Sequence, residues 1–231
     1  MAKMIPSVIS EKTTSSAEKR LFERFRDELP RHWIVLHSLN LSAASNIRTR
    51  ETDFIVISHF GVFCLEAKTG RVSVRDGEWF TGSNSSIKTS NPFEQSLTAS
   101  AKIYKYLQAT PPISRGILTG SGVLLPDVES HISSMEVNQD LIYDLRDRKY
   151  PAEKYIVRIF EYWCNERTTL GNIVRTNPYT PSEIEDISKA IRPNFDLRVP
   201  LTLELENTEE QVIRLTQDQY EVLDQIDFNL N

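Results

Sequence analysis

The sequence predicts an α/β fold in which helices flank a mixed central sheet. Short runs rich in β-branched and aromatic residues alternate with longer segments whose apolar residues recur at helical spacing. Such alternation is typical of layered α/β domains. Hydrophobic residues make up 39% of the 231 positions and charged residues 26%, so the chain can bury a sizeable core.

The first predicted helix spans residues 15–29. Ser15 can cap it, and Glu18 stands three residues later, as in a capping box. Pro30 ends the helix. Its apolar residues share one helical face: Phe22, Phe25 and Leu29.

A β-hairpin is the clearest predicted element. After an expected strand over residues 33–39 and an expected loop over residues 42–52, two runs of β-forming residues follow at 54–57 and 62–65. The turn between them lies at residues 59–61 and contains a glycine.

The elements after this hairpin continue the alternation. A second hairpin is expected around Asp76-Gly77, and a helix is expected over residues 93–108, with Asn91-Pro92 before it and Pro111-Pro112 after it. The apolar face of that helix also carries a glutamine: Gln95, Ala99, Ile103 and Leu107.

The C-terminal part is expected to add two strands and two helices. The strands are predicted at residues 122–125 and 141–143, and Pro151 opens a helix. The inward face of that helix is predicted to contain Tyr155, Ile156, Ile159, Phe160 and Trp163. Thr180 and Glu183 form a capping box for a final helix ending near residue 191. We place the first domain at residues 1–180 and a helical extension at residues 181–231.

Composition excludes several classes of protein. Cys64 and Cys164 lie far apart in apolar stretches, so we expect no disulfide framework and no cysteine-based zinc site. No apolar run is long enough to cross a bilayer, and we expect a cytoplasmic protein without a membrane partner.

The net charge of −5 hides an asymmetry along the chain. Residues 1–110 carry 15 Lys and Arg against 11 Asp and Glu, whereas residues 181–231 carry 4 against 12. Phosphate binding needs a local positive field, so the first part of the chain can still bind DNA.

Three charged residues are predicted to meet at one edge of the first hairpin. Alternate residues of an extended strand share a face, so Glu66 and Lys68 point the same way as Val62 and Cys64. Folding the hairpin brings Asp53 within a ladder step or two of them. Two carboxylates at this spacing suit a divalent cation with oxygen ligands, either Mg²⁺ or Mn²⁺.

These residues resemble a known family. The runs Asp53–Ile57 (DFIVI) and Gly61–Gly70 (GVFCLEAKTG) are similar to the core of the nuclease-related domain (NERD), which belongs to the PD-(D/E)XK nuclease superfamily. Glu18 matches the acidic residue of that family's first helix, and Asn91-Pro92 followed by Gln95 resembles its next helix start. The resemblance covers roughly residues 15–142 and implies a restriction-endonuclease-like core.

The resemblance implies a role for each residue. Asp53 and Glu66 would bind the metal, Lys68 would be the catalytic lysine, Glu18 an auxiliary acid and Gln95 a polar group that supports the site. The backbone carbonyl of Ala67 would add a ligand. Thr52 stands where the superfamily often has proline, and that position is variable. A Mg²⁺-dependent deoxyribonuclease is the implied function.

The C-terminal tail carries a second resemblance. Residues 214–223 (RLTQDQYEVL) are similar to the Q motif that opens UvrD/Rep-type superfamily 1 helicases, in which the glutamine matching Gln219 reads the adenine of ATP. A helicase partner, in phage defence or DNA repair, is implied. The sequence ends at Asn231 before any glycine-rich Walker loop, so we expect no ATP hydrolysis by this polypeptide alone.

Simpler interpretations compete with several of these assignments. Helix capping alone explains Glu18, and Gln95 can be a buried amide that bonds to backbone. The four histidines show no ligand spacing, and most are expected in turns or at the surface. The competing function is a catalytically inactive nuclease-fold module that binds DNA or a partner and positions the helicase.

Overall fold

The computed structural model describes residues 1–41, 51–82, 86–131 and 136–194, except positions 12, 14, 112, 114, 115, 173 and 176, together with Arg214. The chain divides into two compact units, residues 1–193 and residues 194–231. The elements described below belong to the first unit. Of the second unit only Asn194 and Arg214 are described.

The elements of the first unit follow the predicted alternation. The strands among the described residues are β1 (Lys3–Ile5), β2 (Ile34–Asn40), β3 (Glu51–Ser58), β4 (Gly61–Ala67), β5 (Ser73–Arg75), β6 (Glu78–Thr81), β7 (Ile87–Thr89), β8 (Thr119–Leu124) and β9 (Ile142–Tyr143). The α-helices are α1 (Ser16–Glu28), α2 (Pro92–Gln108), α3 (Ala152–Thr169) and α4 (Pro181–Ile191). Two 3₁₀ turns lie at Gln139–Leu141 and Leu145–Lys149. No helix among the described residues combines the length and the apolar character needed to span a membrane.

Six strands form the central sheet, in the order β1-β2-β3-β4-β8-β9. The pairs β2–β3 and β3–β4 are antiparallel, whereas β1–β2, β4–β8 and β8–β9 are parallel. The predicted mixed sheet flanked by helices is therefore confirmed, and it is consistent with a restriction-endonuclease-like nuclease fold. The second predicted hairpin forms as β5–β6 and is extended by β7 into a separate antiparallel sheet.

The two faces of the central sheet bury separate apolar clusters. On one face, Phe63 and Leu65 of β4 pack with residues of α1 and α3. On the other face, Val62 and Cys64 of β4 pack with residues of α2 and α4. The alternation predicted for this strand is thus present in the structure.

Several element bounds differ from the prediction. The expected loop over 42–52 falls partly on residues 42–50, which lie outside the described part of the chain. Its last two residues belong to β3, because Glu51 pairs with Asn40 and Thr52 with Leu39 of β2. Strand β8 begins at Thr119 and not at residue 122, and β1 and β7 were not predicted.

Candidate active site

The β3–β4 hairpin places Asp53 beside the end of β4. The last paired residues of the hairpin at this end are Phe54 and Leu65, so Asp53 lies one step beyond them. The backbone N–H of Ala67 donates a hydrogen bond to Asp53 Oδ2 at 2.7 Å. On the other side of β4, the N–H of Lys68 donates to the carbonyl of Leu124 in β8 at 2.9 Å. The end of β4 is therefore held from both neighbouring strands.

Glu66 and Lys68 form a close ion pair on one face of β4. Lys68 Nζ donates to Glu66 Oε1 at 2.7 Å. Glu66 is only 5% exposed, which is unusual for a carboxylate. A buried carboxylate needs a partner, and Lys68 supplies it.

Glu18 also approaches this pair, from the first turn of α1. Its backbone N–H donates to Ser15 Oγ at 3.2 Å, so the predicted cap is present. Its side chain lies 3.6 Å from His37 Nε2, measured from Oε2. The negative charge of Glu18 contributes to raising the pKa of both Asp53 and Glu66. Capping therefore accounts for the backbone of Glu18, whereas its carboxylate faces His37.

His37 is the residue of this region that sequence reasoning missed. It lies in β2, is 1% exposed and packs its ring against Phe22 and Phe54. Its Nε2 has no hydrogen-bond partner among the described residues. His37 is thus an exception to the expected turn or surface placement, and its alternation with Trp33 and Val35 was the signal for burial.

Gln95 lies in the first turn of α2, where its N–H donates to the carbonyl of Asn91 at 3.1 Å. Its side-chain Oε1 is buried and has no hydrogen-bond partner within the described part of the chain. Among the described residues, neither backbone nor side chain donates to this oxygen. Helix α2 packs on the face of β4 toward which Glu66 points by strand alternation.

The pKa values of the two carboxyl groups at the site are raised. Burial raises the pKa of the Asp53 carboxyl well above its ordinary value, the charge of Glu66 raises it further, and the N–H of Ala67 opposes the shift. Burial also raises the pKa of Glu66, against the opposing effect of Lys68. A carboxylate pair in this state gains from any cation placed between its members.

The donor set fits a hard divalent cation. Asp53 and Glu66 offer carboxylate oxygens, and the carbonyl of Ala67 follows Glu66 directly in sequence. Mg²⁺ is typically bound through one or two carboxylates and retains several waters. Among the described residues, no group of three or more His, Cys, Asp or Glu side chains is arranged to hold a metal ion. A closed structural zinc site is therefore not formed there.

The segment after Lys68 is fixed by a residue distant in sequence. Asp127, in the loop after β8, accepts a hydrogen bond from the N–H of Gly70 through Oδ2 at 2.9 Å. Nothing near Asp127 in the sequence indicated this contact, because it depends on the parallel pairing of β4 with β8.

The chain matches a known protein family over about half of its length. The family model of the nuclease-related domain (NERD) matches residues 13–131, slightly more than half of the chain. Neither the curated proteins nor the solved structures include a match to the chain. The segment 214–223 with Gln219 lies outside the described residues, apart from Arg214.

Proposed function

The chain belongs to the nuclease-related domain family, and from this premise we propose that it hydrolyses DNA phosphodiester bonds with Mg²⁺ or Mn²⁺ as cofactor. One observation carries the proposal. The Asp53 carboxyl accepts the N–H of the residue after Glu66 at 2.7 Å, across the hairpin whose last pair at this end is Phe54 and Leu65. The buried Glu66 carboxyl accepts from Lys68 Nζ at 2.7 Å. Carboxyl groups whose pKa values are raised by burial and by a charged neighbour, as here, are typical of functional sites.

The two carboxylates and the carbonyl of Ala67 would hold the metal ion. When bound, the ion supplies positive charge that polarises a phosphoryl oxygen and acidifies a water molecule. Asp53 keeps its orientation through the N–H of Ala67, so the site is preorganised by backbone geometry.

Lys68 is the group we propose to act on the water and the phosphate. Its ammonium can hold the attacking water or neutralise the charge that develops on the phosphate. Glu66 fixes this ammonium at 2.7 Å, and the Lys68 side chain is 15% exposed, so the charge acts where water is scarce.

Glu18 and Gln95 complete the proposed site as polar supports. In this proposal the carboxylate of Glu18 would accept a hydrogen bond from a water on the α1 side of the site. The Oε1 of Gln95 accepts no hydrogen bond from the described residues. A water at the site can donate one to it.

A second candidate function is a nuclease-fold module without catalysis. It is favoured by one observation: Lys68 already neutralises Glu66 at 2.7 Å, so this carboxylate has a partner without a metal ion. In that case the hairpin edge binds DNA or a partner and positions the helicase that the 214–223 segment resembles.

The helicase partner is a further part of the proposal. It is supported by the resemblance of residues 214–223 to a Q motif, with Gln219 as the adenine-reading residue. A setting in phage defence or DNA repair follows from that partner alone.

Cleavage of labelled DNA tests the nuclease. The full chain is incubated with plasmid and with single-stranded and duplex oligonucleotides in Mg²⁺, Mn²⁺ or EDTA, beside Asp53→Asn and Lys68→Met. We expect metal-dependent cleavage by the native chain and a loss of about 100-fold or more in each variant. Equal cleavage by the variants, or cleavage in EDTA, would refute the site.

A matched control accompanies the lysine variant. Lys88 forms an ion pair with Glu78 at the surface, with the two side chains 64% and 50% exposed. Lys88→Met removes the same charge from a solvated pair, so cleavage should remain unchanged. DNA binding without any cleavage in either metal would favour the second candidate.

A further inference from the structure

A second charged cluster lies beside the hairpin edge and is centred on Asp127. Asp127 Oδ1 accepts from the guanidinium of Arg20 in α1 and lies 3.5 Å from Arg148 Nη2 in the second 3₁₀ turn. Its other oxygen accepts the N–H of Gly70. The carboxylate of Asp127 therefore contacts the side chains of two arginines and the backbone of the segment that follows the proposed catalytic lysine.

Backbone contacts fix this cluster relative to the site. The N–H of Leu145 donates to the carbonyl of Val128 at 2.9 Å, which ties the 3₁₀ turn to the Asp127 loop. Gly70 stands two residues after Lys68, so the two backbones are at most about 7 Å apart. One strand of a duplex carries a phosphate for about every 3.4 Å of duplex axis. A strand bound at Lys68 therefore also extends past the Gly70 segment.

The cluster retains positive charge that solvent can reach. The side chains of Arg20 and Arg148 are 47% and 42% exposed, whereas Asp127 is 24% exposed. Two guanidinium groups against one carboxylate leave one net positive charge. Arg71, next to Gly70, is exposed and has no ion pair among the described residues, so it adds to the field.

From this geometry we infer that Arg20 and Arg148 form a phosphate subsite for the nucleic-acid strand, adjacent to the scissile position, with Asp127 as the residue that positions them. The inference rests on the proposed function, because it takes the strand cut at Asp53 and Glu66 as its ligand. A guanidinium held by a carboxylate on one side still offers N–H donors on its other edge, and these fit phosphate oxygens.

The salt dependence of DNA binding tests the subsite without relying on cleavage. Binding of a labelled duplex to the full chain is measured by fluorescence anisotropy in EDTA across a range of NaCl concentrations. Each duplex phosphate that the protein neutralises adds about 0.9 to the steepness of log affinity against log salt. Arg20→Gln with Arg148→Gln should therefore make this slope shallower by about 1.8, and equally for any DNA sequence.

Charge-retaining and charge-removing variants separate binding from structure. Arg20→Lys with Arg148→Lys should keep most of the slope. Asp127→Asn keeps an oxygen for Gly70 but removes the carboxylate that positions both guanidinium groups, so binding at low salt should weaken by about threefold although the net charge becomes more positive. Tighter binding would show that Asp127 does not position the arginines. Arg26→Gln is the matched control, since Arg26 is also on α1, is 42% exposed and pairs with Asp27.

The outcomes also separate this inference from the proposed nuclease. A slope unchanged in the glutamine variants, or no DNA binding by the native chain, would overturn the subsite even if cleavage is observed. A shallower slope without cleavage in any metal would support the subsite and refute the nuclease. If Arg20→Gln unfolds the chain, Arg148→Gln alone is used for the same measurement. Arg148 lies 3.5 Å from Asp127, and the slope should then become shallower by about 0.9.

Discussion

Three carboxylates lie near one another in a partly buried region: those of Asp53, Glu66 and Glu18. The ammonium of Lys68 neutralises only one of them. Burial, and after it the neighbouring carboxylates, raise the pKa of Asp53 and of Glu66, so keeping these groups charged here costs folding free energy at neutral pH. Residues retained at such a cost are typical of functional sites. Removing one of these charges should therefore stabilise the fold.

Asp53→Asn should raise the melting temperature in metal-free buffer at pH 8. The folded-state pKa of Asp53 is raised, so its contribution to stability is present at low pH and is lost as pH rises through that pKa. Asparagine stays neutral and still accepts the Ala67 N–H. We expect a rise on the order of 2–4 °C, which corresponds to about 1 kcal/mol in a chain of this size.

Two measurements check the origin of this stabilisation. The exposed Asp186→Asn in α4 should leave the melting temperature unchanged, and the stabilisation by Asp53→Asn should vanish near pH 3. Added Mg²⁺ should stabilise the native chain but not the variant, because binding to the folded state alone raises stability. A variant less stable than the native chain at pH 8 would contradict an electrostatic cost at Asp53.

The site residues that can be predicted from the sequence are those that one β-hairpin brings together. Asp53, Glu66 and Lys68 lie on one hairpin, so strand alternation and a short turn were sufficient to bring them together. Asp127 reaches Gly70 across 57 residues. His37 reaches Glu18 only because β2 pairs with β3 and α1 packs over that pair.

At the scale of elements, β8 shows how packing overrides propensity. Its sequence TGSGVL contains two glycines, which disfavour strands, so only its second half was predicted. The glycines leave room for the aromatic residues of α3. A Cβ on Gly120 would overlap the Trp163 ring, and one on Gly122 would overlap the Tyr155 hydroxyl.

Gly122→Ala should therefore destabilise the fold by about 1–3 kcal/mol, the usual cost of overpacking a core. The Tyr155 hydroxyl cannot yield easily, because it donates to the carbonyl of Leu141 at 2.9 Å. Urea unfolding measures the change. Thr119→Val in the same strand is the control, since its buried hydroxyl has no hydrogen-bond partner among the described residues, and it should be neutral or stabilising. If Gly122→Ala is as stable as the native chain, α3 must be able to shift on β8 and make room for the added Cβ.

The start of α4 gives a pH-dependent prediction. Two hydrogen bonds from Arg175, at 2.6 and 3.2 Å, and one from the N–H of Thr180 lower the pKa of Glu183 to about 2. A lowered folded-state pKa contributes stability above the unfolded value, and this is lost as pH falls toward about 2.

Glu183→Gln should thus be less stable than the native chain from pH 8 down to about pH 5, and the difference should shrink below that. Because the side chain is 38% exposed, solvent screens the pair and the difference should be about 1 kcal/mol or less. Urea titrations across pH measure it, with the exposed Glu161→Gln as control. A difference that grows on acidification would reverse the assigned sign.

Short elements with distant partners were the ones that sequence could not predict. Strand β1 has three residues and exists through parallel pairing with β2, about 30 residues away. Strand β7 is equally short and completes the small sheet by pairing with β6. The hydrophobic pattern of three residues is too brief to show a period, so only the tertiary context defines these strands.

For the whole molecule, α4 decides how far the first compact unit extends beyond the residues that the family model matches. The guanidinium of Arg192, directly after α4, donates to the carbonyls of Ile5, His37 and Ser38 at 2.8 to 3.1 Å. It thereby joins the ends of β1 and β2. Ile184 and Ile187 of α4 are almost fully buried in the cluster of the α2 face. The helix is thus part of the first unit's core, and the domain boundary at residue 180 stays a prediction.

Two truncated chains test this extent. Residues 1–193 keep both apolar clusters and should match the melting temperature and DNA cleavage of the full chain. Residues 1–180 lose Ile184 and Ile187, whose burial is worth about 1.5–3 kcal/mol each, as well as the three bonds of Arg192. Since a domain is stable by only about 5–15 kcal/mol, the shorter chain should melt about 10 °C lower or aggregate. Equal stability of the two chains, measured by thermal unfolding, would place α4 outside the domain and return the boundary to residue 180.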